Sequence, residues 1–347
     1  MERHAVALGG FGGFNLHGAG VLTALERLGT LPDLFTVTSG QIVVLAAWLR
    51  GEDIRSLLLD GTTGGGLLRA WRTALFGHSG VFRPALHDHA RRWLDVPLSP
   101  EAVLERLMPA RQYAPVRDGG HAGEIAHTLN EAAVGVVFNT YDVRAGEGVL
   151  HGNAAARRLM AGDVGLEDIT PEAVESALWL YLYGFDEAPG GLIDGAYHRS
   201  VILAELHGFE RVTAAAPFPV SWIGPVPRNQ LEVENWKIRQ WFANSYKAEV
   251  ARLRRVVELI DRGTLRDPAY RIRGLTELPL RQHYGFFDYF TEKEEVYEDA
   301  LAQSLDHFAP PGPGGAGQQP PDTGAQPPRV ITPDSRTNRG SDVFSPS

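Results

Sequence analysis

"LFTVTSGQIVVLAAWL", residues 34–49, is the stretch on which the reading of this chain turns. Its first five residues, Leu34 to Thr38, are β-branched and aromatic enough for a short core strand. The run "IVVLAAWL" at 42–49 is far too short to span a bilayer and reads as a buried helix. Between them stand Ser39 and Gly40. A serine at a sharp strand-to-helix turn is how a nucleophilic hydroxyl is lifted out of the end of a sheet. Such a turn usually has glycine two residues before and two residues after the serine. Here those places hold Val37 and Gln41.

Upstream, the rhythm repeats. "HAVAL" (4–8) is a short buried-type strand, and "GGFGGFNLHGAG" (9–20) is a glycine cluster. Val21, Leu22, Leu25 and Leu28 then form one apolar helical face that Gly29 stops, and "LPD" turns the chain into the next strand. Strand, helix, strand, helix with short connections implies a parallel sheet covered by helices.

Downstream, "AVGVVFNTYDV" (133–143) and "RVTAAAPFPV" (211–220) read as core strands, and "GGLIDGAY" (190–197) as a strand entering a tight glycine turn. "TPEAVESALWLYLYGF" (170–185) reads as helix, with Thr170 as its cap before Pro171. A long helix is expected over about 231–261, with Trp241, Val250, Leu253, Val257 and Ile260 as its core stripe, and an amphipathic helix over 289–308. Residues 309–347 are rich in Pro, Gly, Gln and Ser and read as a disordered tail. The expected organisation is therefore a domain over 1–308, with a core to 220 and a helical part over 221–308, followed by that tail.

The chain has 347 residues, 44% hydrophobic and 22% charged, ordinary values for a globular protein with a sizeable core. A net charge of −9 without a long basic run argues against a nucleic-acid partner. With no cysteine there are no disulfides or thiolate metal sites, which fits a cytoplasmic protein. "MERHAVALGG" has no long apolar stretch behind its charges and does not read as a signal peptide. Membrane contact is expected to be peripheral at most.

Three features stand in order: the glycine cluster after the first strand, Ser39 ending the second, and Asp194-Gly195-Ala196 further on. Together they resemble the patatin-like phospholipase family, whose pattern is a G-G-G-x-R/K-G loop, a G-x-S-x-G elbow and a D-G-G/A motif. "GVLTALERLG" (20–29) is similar to the family's first helix, and Ser39 lies nineteen residues after Gly20, as is common there. The resemblance covers roughly 5–55 and 133–220, and 221–308 only in helical character.

It implies an α/β fold with a mainly parallel central sheet flanked by helices. It also implies hydrolysis of lipid acyl esters by a Ser39–Asp194 dyad, with no histidine, metal or organic cofactor. Gly10, Phe11, Gly12, Gly13 and Gly40 would supply the oxyanion and substrate contacts through main-chain N–H groups. Burial would have to raise the Asp194 pKa for it to serve as a base.

The pattern also departs from the family. Phe11 takes one of the loop's three glycines, Phe14 the basic residue and Asn15 the last glycine. Val37 and Gln41 would crowd the turn unless neighbours give way. The alternative left open is an inactive relative that binds a lipid or protein partner in the old cleft. Oligomeric state is not legible.

Rival patterns are weaker. A dinucleotide loop beginning Gly10-Phe11-Gly12 meets Asn15 where it needs glycine, and the next strand does not end in an acid. An α/β-hydrolase triad could recruit His198, His207 or His283, but that fold places its serine after more strands. "HDH" at 87–89 reads as a surface helix rather than a metal site, and His17 as a space-filling residue.

Overall fold

The computed structural model describes residues 2–59, 82–85, 99–107, 110–116, 120–160, 164–285, 288 and 291–309. The chain divides into two compact units, Met1–Ala309 and Pro310–Ser347, and the described residues all belong to the first. The tail expected from 309 and the "HDH" segment lie outside the described residues, Ala309 apart.

The opening rhythm is present as a β1 strand (His4–Leu8), helix α1 (Asn15–Arg27), strand β2 (Leu34–Val37) and helix α2 (Gln41–Leu49). Gly29 ends α1 at φ +60°, where its N–H donates to the Glu26 carbonyl and that of Thr30 to Leu25. The turn before β2 is fastened by Asp33, whose Oδ2 accepts the His4 N–H at 2.8 Å. Then come α3 (Ile54–Leu59), β3 (Phe82–Pro84), α4 (Pro100–Leu107), β4 (Tyr113–Pro115) and α5 (His121–Glu131). The rest runs β5 (Gly135–Asp142), β6 (Glu147–Gly152), α6 (Ala154–Leu159), β7 (Leu166–Glu167), α7 (Pro171–Ala177), β8 (Leu192–Asp194), β9 (Arg211–Ala216), α8 (Gln230–Asp261), β10 (Gly274–Pro279) and α9 (Glu294–Phe308).

The main sheet is mainly parallel, in the order β10-β9-β1-β2-β5-β6-β7, and helices flank it. β10, β9, β1, β2 and β5 pair in parallel, and β6 pairs antiparallel with β5. β1 and β2 are buried along their whole length, as strands covered on both faces must be. Helix α1 packs on α9 so closely that a Cβ on Gly20 would lie 2.6 Å from the Tyr297 carbonyl oxygen.

β8 makes the site possible. β5 uses one edge for β6, from Val137 to Asp142. Its other edge carries β2 up to Val37 opposite Phe138, and then β8, with Asp194 opposite Thr140. β2 and β8 thus meet end to end along β5. The two residues after Val37 bring the chain level with Thr140, so Ser39 arrives beside Asp194.

Two expectations about helices are corrected. The helix expected over 170–185 stops at Ala177, although Thr170 does cap it, its hydroxyl accepting the Ala173 N–H at 3.1 Å. Trp179 then turns into a second small core with Phe82, Tyr183 and Ile193, and its carbonyl takes the Asp194 N–H. Tertiary packing of the aromatic side chains outweighs their tolerance for helix. On α8, Val250 and Leu253 are buried as expected, but Trp241 is 56% exposed, its ring against that of Tyr197. Asn235 and Arg239 are buried in that part of the helix instead. Strands β6 and β10 carry no strong apolar run, so neither is legible from sequence alone.

Candidate active site

Ser39 is, among the described residues, the one non-glycine residue with positive φ, at +57°. A left-handed backbone at a serine costs about 1–3 kcal/mol and persists only where surroundings enforce it. Here β2 delivers the chain with the Thr38 N–H held by the Leu8 carbonyl, and α2 begins at once, with Ile42 N–H on the Ser39 carbonyl. The elbow forms without its two usual glycines because the neighbours give way. Val37 stays in the strand and is wholly buried in the core. The Gln41 side chain lies over Gly18 of α1, where a Cβ would fall 1.9 Å from its Oε1, and its Nε2 donates to the Asn15 carbonyl at 3.4 Å. The crowding expected at Gln41 is thus relieved by a glycine on another helix.

Gly10 faces the elbow from the glycine loop. A Cβ there would lie 2.5 Å from the Thr38 carbonyl oxygen and 2.6 Å from the Ser39 Cβ. Only glycine fits so close a backbone approach. Its N–H is already taken by the Ser200 carbonyl at 3.1 Å, so Gly10 is not one of the oxyanion donors expected of it. Phe11 is likewise a core residue in its side chain, 2% exposed, packed on Phe14, Phe218 and Phe242. The main-chain N–H groups of Gly12, Gly13 and Gly40 have no protein acceptor among the described residues. Gly12 adopts φ +49°, which shapes the loop.

Asp194 ends β8 and is 2% exposed. Its Oδ1 accepts the Ala196 N–H at 2.8 Å, and the Ser39 side chain is near enough to the carboxylate to act on it. Burial pushes its pKa up to about 7, against the downward pull of Ser39 and the Ala196 N–H. Gly195 must lack a side chain, since a Cβ would meet Asn139 at 2.4 Å. Burial, and then the Asp194 charge, raise the hydroxyl pKa values of Tyr183 and Tyr197. The Tyr197 ring in turn meets those of Tyr181 and Trp241.

The three histidines that could have made a triad are occupied elsewhere. His198 stacks on Tyr141, His207 on Tyr270, and His283 against Trp222. His17 sits in α1 rather than in the loop, 1% exposed, with burial lowering its pKa to about 4, so it is a neutral interior residue.

Two residues at the site carry no local sequence signal. Arg239 of α8 lies over the Phe11 and Phe14 rings, 5.7 and 5.8 Å from guanidinium carbon to ring centre, and donates to the Tyr284 carbonyl at 2.7 Å. It brings a cation to the glycine loop, beside Phe14. Glu292, just before α9, accepts the Asn15 and Leu16 N–H groups at the start of α1.

The sequence matches no protein-family model and no curated protein. Among solved structures, the crystal structure of VipD from Legionella pneumophila is similar at a TM-score of 0.34 and 12% identity, over 88% of this chain and 67% of that one. A likeness of that size carries no argument about function. Among the described residues, no helix is long and apolar enough to cross a membrane.

Proposed function

We propose that this chain is a patatin-like lipid acyl hydrolase. The observation that carries the reading is a serine held at φ +57° against an enclosed carboxylate with a pKa near 7. An ordinary aspartate, with a pKa of about 3.9, is too weak a base for an alcohol, whereas one near 7 is matched to neutral pH. Ser39 Oγ bonds to the acyl carbon of an ester while Asp194 takes the hydroxyl proton. The carbonyl oxygen becomes an oxyanion facing the N–H groups of Gly12, Gly13 and Gly40. Each such donor is worth about 2.7–4 kcal/mol in the transition state. The tetrahedral centre collapses, the C–O bond breaks, and the leaving alcohol receives the proton from Asp194. Water, deprotonated by the same carboxylate, then cleaves the acyl-enzyme and releases the fatty acid. The aromatic rings of Tyr183 and Tyr197, on which the Asp194 charge acts, suit an acyl chain, and a lipid substrate implies peripheral contact with a membrane from the cytoplasm.

The test is a serine-directed phosphonate probe combined with a short-chain ester assay. Wild type labels on Ser39 and turns over, and Ser39→Ala does neither. Hydrolysis that persists undiminished in Ser39→Ala defeats the assignment.

A second reading, an inactive relative that holds a lipid or protein in the cleft, draws on closure of the dyad: Ser39 is only 9% exposed and Asp194 2%. On that reading wild type and Ser39→Ala are equally inert toward every ester, while lipid or partner binding is retained.

A further inference from the structure

Helix α1 starts without a cap of its own, because its N-cap residue is Phe14 and its first turn contains no acid. The missing acceptor comes from 277 residues away. Glu292 Oε1 accepts the Asn15 N–H at 3.0 Å, and Oε2 accepts the Leu16 N–H at 3.1 Å. The Asn15 side chain also lies near enough to this carboxylate to act on it. The same Asn15 amide covers Gly40, where a Cβ would sit 2.5 Å from its Oδ1 and 2.8 Å from its Nδ2. The Asn15 carbonyl in turn receives Gln41 Nε2. The two residues that follow Ser39 therefore both rest on Asn15, and Asn15 is oriented by Glu292.

We propose that Glu292 is a positioning residue for the nucleophile elbow, acting through Asn15 on Gly40 and Gln41, and that its ionised form is the one that holds the elbow in register. This rests on the reading of Ser39 as a nucleophile.

The requirement for ionisation follows from the donor count. A carboxylate offers an acceptor on both oxygens. Protonation puts a hydrogen on one of them, opposite an N–H, and one of the two main-chain bonds is lost. Although part of the residue's surface reaches solvent, its carboxyl is enclosed by protein, and burial pushes its pKa up to about 7.

The charged groups on the surrounding elements are engaged elsewhere. Lys293 pairs with Asp288 at 2.9 Å. On α9, Glu294 and Glu298 pair with Arg55 of α3, while Glu295 and Asp299 act on Tyr284. On α1, His17 is neutral, and on α8, Arg239 is bonded to Asn235 and the Tyr284 carbonyl.

Glu292→Gln tests the proposal. In the full chain, the main-chain amide resonances of Asn15, Leu16, Gly40 and Gln41 are followed between pH 5 and pH 9, beside kcat and KM for a soluble short-chain ester. In wild type the four amides shift together with a midpoint near 7, and the acid limb of log kcat/KM is steeper than a slope of one around that midpoint, because Asp194 must ionise and protonation of Glu292 slows turnover further. In Glu292→Gln that midpoint disappears from Asn15 and Leu16 and the slope falls to one. There kcat drops about tenfold, the size of one lost hydrogen bond, and KM is unchanged. Asn15→Ala keeps Glu292 and the main-chain bonds to Asn15, Gln41 included, but removes the amide over Gly40, so Gly40 loses its response to Glu292 while Gln41 keeps it, which separates the relay from general loosening.

Amides that do not titrate in wild type, or a Glu292→Gln enzyme with wild-type kcat and slope, overturn the proposal. Should wild type prove inert and Ser39 unlabelled, the hydrolase reading fails by itself. The amide titrations still decide whether Glu292 controls the elbow's geometry.

Discussion

Asp194 and Glu292 invite comparison, since both are enclosed carboxyls whose pKa burial pushes up to about 7, and both stand at the start of a helical turn. Their partners differ. Asp194 accepts one N–H, from Ala196, and its other partner is a hydroxyl that can lose a proton. Glu292 is ringed by amide groups of Asn15 and Leu16, none of which can. A perturbed pKa marks a place where the fold tolerates the cost of an enclosed carboxyl. The chemistry of the partner, rather than the size of the shift, separates the proposed base from the proposed brace.

The largest effect that would break this comparison is on turnover. Ser39→Ala is expected to abolish ester hydrolysis, and Asp194→Asn to cost about 10²–10⁴-fold. The double variant should be no worse than Ser39→Ala, because the pair acts as a unit. Steady-state kinetics on a short acyl ester checks all three. Additive losses would mean that Asp194 and Ser39 act separately.

Next is stability against pH. Each carboxyl has a folded pKa above its unfolded value, so between about pH 4 and pH 7 the folded state holds more protons than the unfolded one. Stability then falls as pH rises through that window and levels off above it. Asp194→Asn removes one such group, and at pH 8 it should be more stable than wild type, by roughly 3–4 kcal/mol at most. Urea unfolding at pH 5 and pH 8 measures this. A variant less stable than wild type at pH 8 would show that the pull of Ser39 and the Ala196 N–H outweighs the burial of the charge.

The accommodation of Gln41 predicts a change of sign. In wild type, Gly18→Ala should destabilise, since about 1–3 kcal/mol of overpacking against Gln41 outweighs about 1 kcal/mol of helix propensity. In a Gln41→Ala background the same substitution should stabilise. A double-mutant cycle by thermal melts reads the coupling, and additivity would mean that Gln41 does not occupy the space over Gly18.

The smallest expected effect lies beside Ser39, the proposed nucleophile. Gly40 has helical φ of −54°, so Gly40→Ala strains no backbone, but its methyl must displace the Asn15 amide. A several-fold fall in kcat, with stability changed by less than about 1 kcal/mol, is expected if the amide is needed where it sits. No change in kcat would confine Asn15 to capping.

What the sequence alone determined is concentrated where interactions are local. "HAVAL", the glycine cluster, "LFTVT" and Ser39 fix two strands, two helices and a turn within residues 4–49, because period, turn chemistry and strand composition act over neighbouring positions. The Asp194-Gly195 turn and the Thr170 cap were legible for the same reason. Tertiary structure decided everything that depends on partners far along the chain. End-to-end placement of β2 and β8 on one edge of β5 brought Asp194 to Ser39. Gly18, on a different helix, made room for Gln41, and the Ser200 carbonyl took the Gly10 N–H that the glycine pattern had offered to an oxyanion. Glu292 and Arg239 have no motif around them, since a carboxylate or a guanidinium is defined as part of a site only by the groups it meets. Trp241 looks like core by its spacing and is 56% exposed, with Tyr197, from another segment, as its ring neighbour. Periodicity reports which side chains share a face, while the fold decides what that face meets.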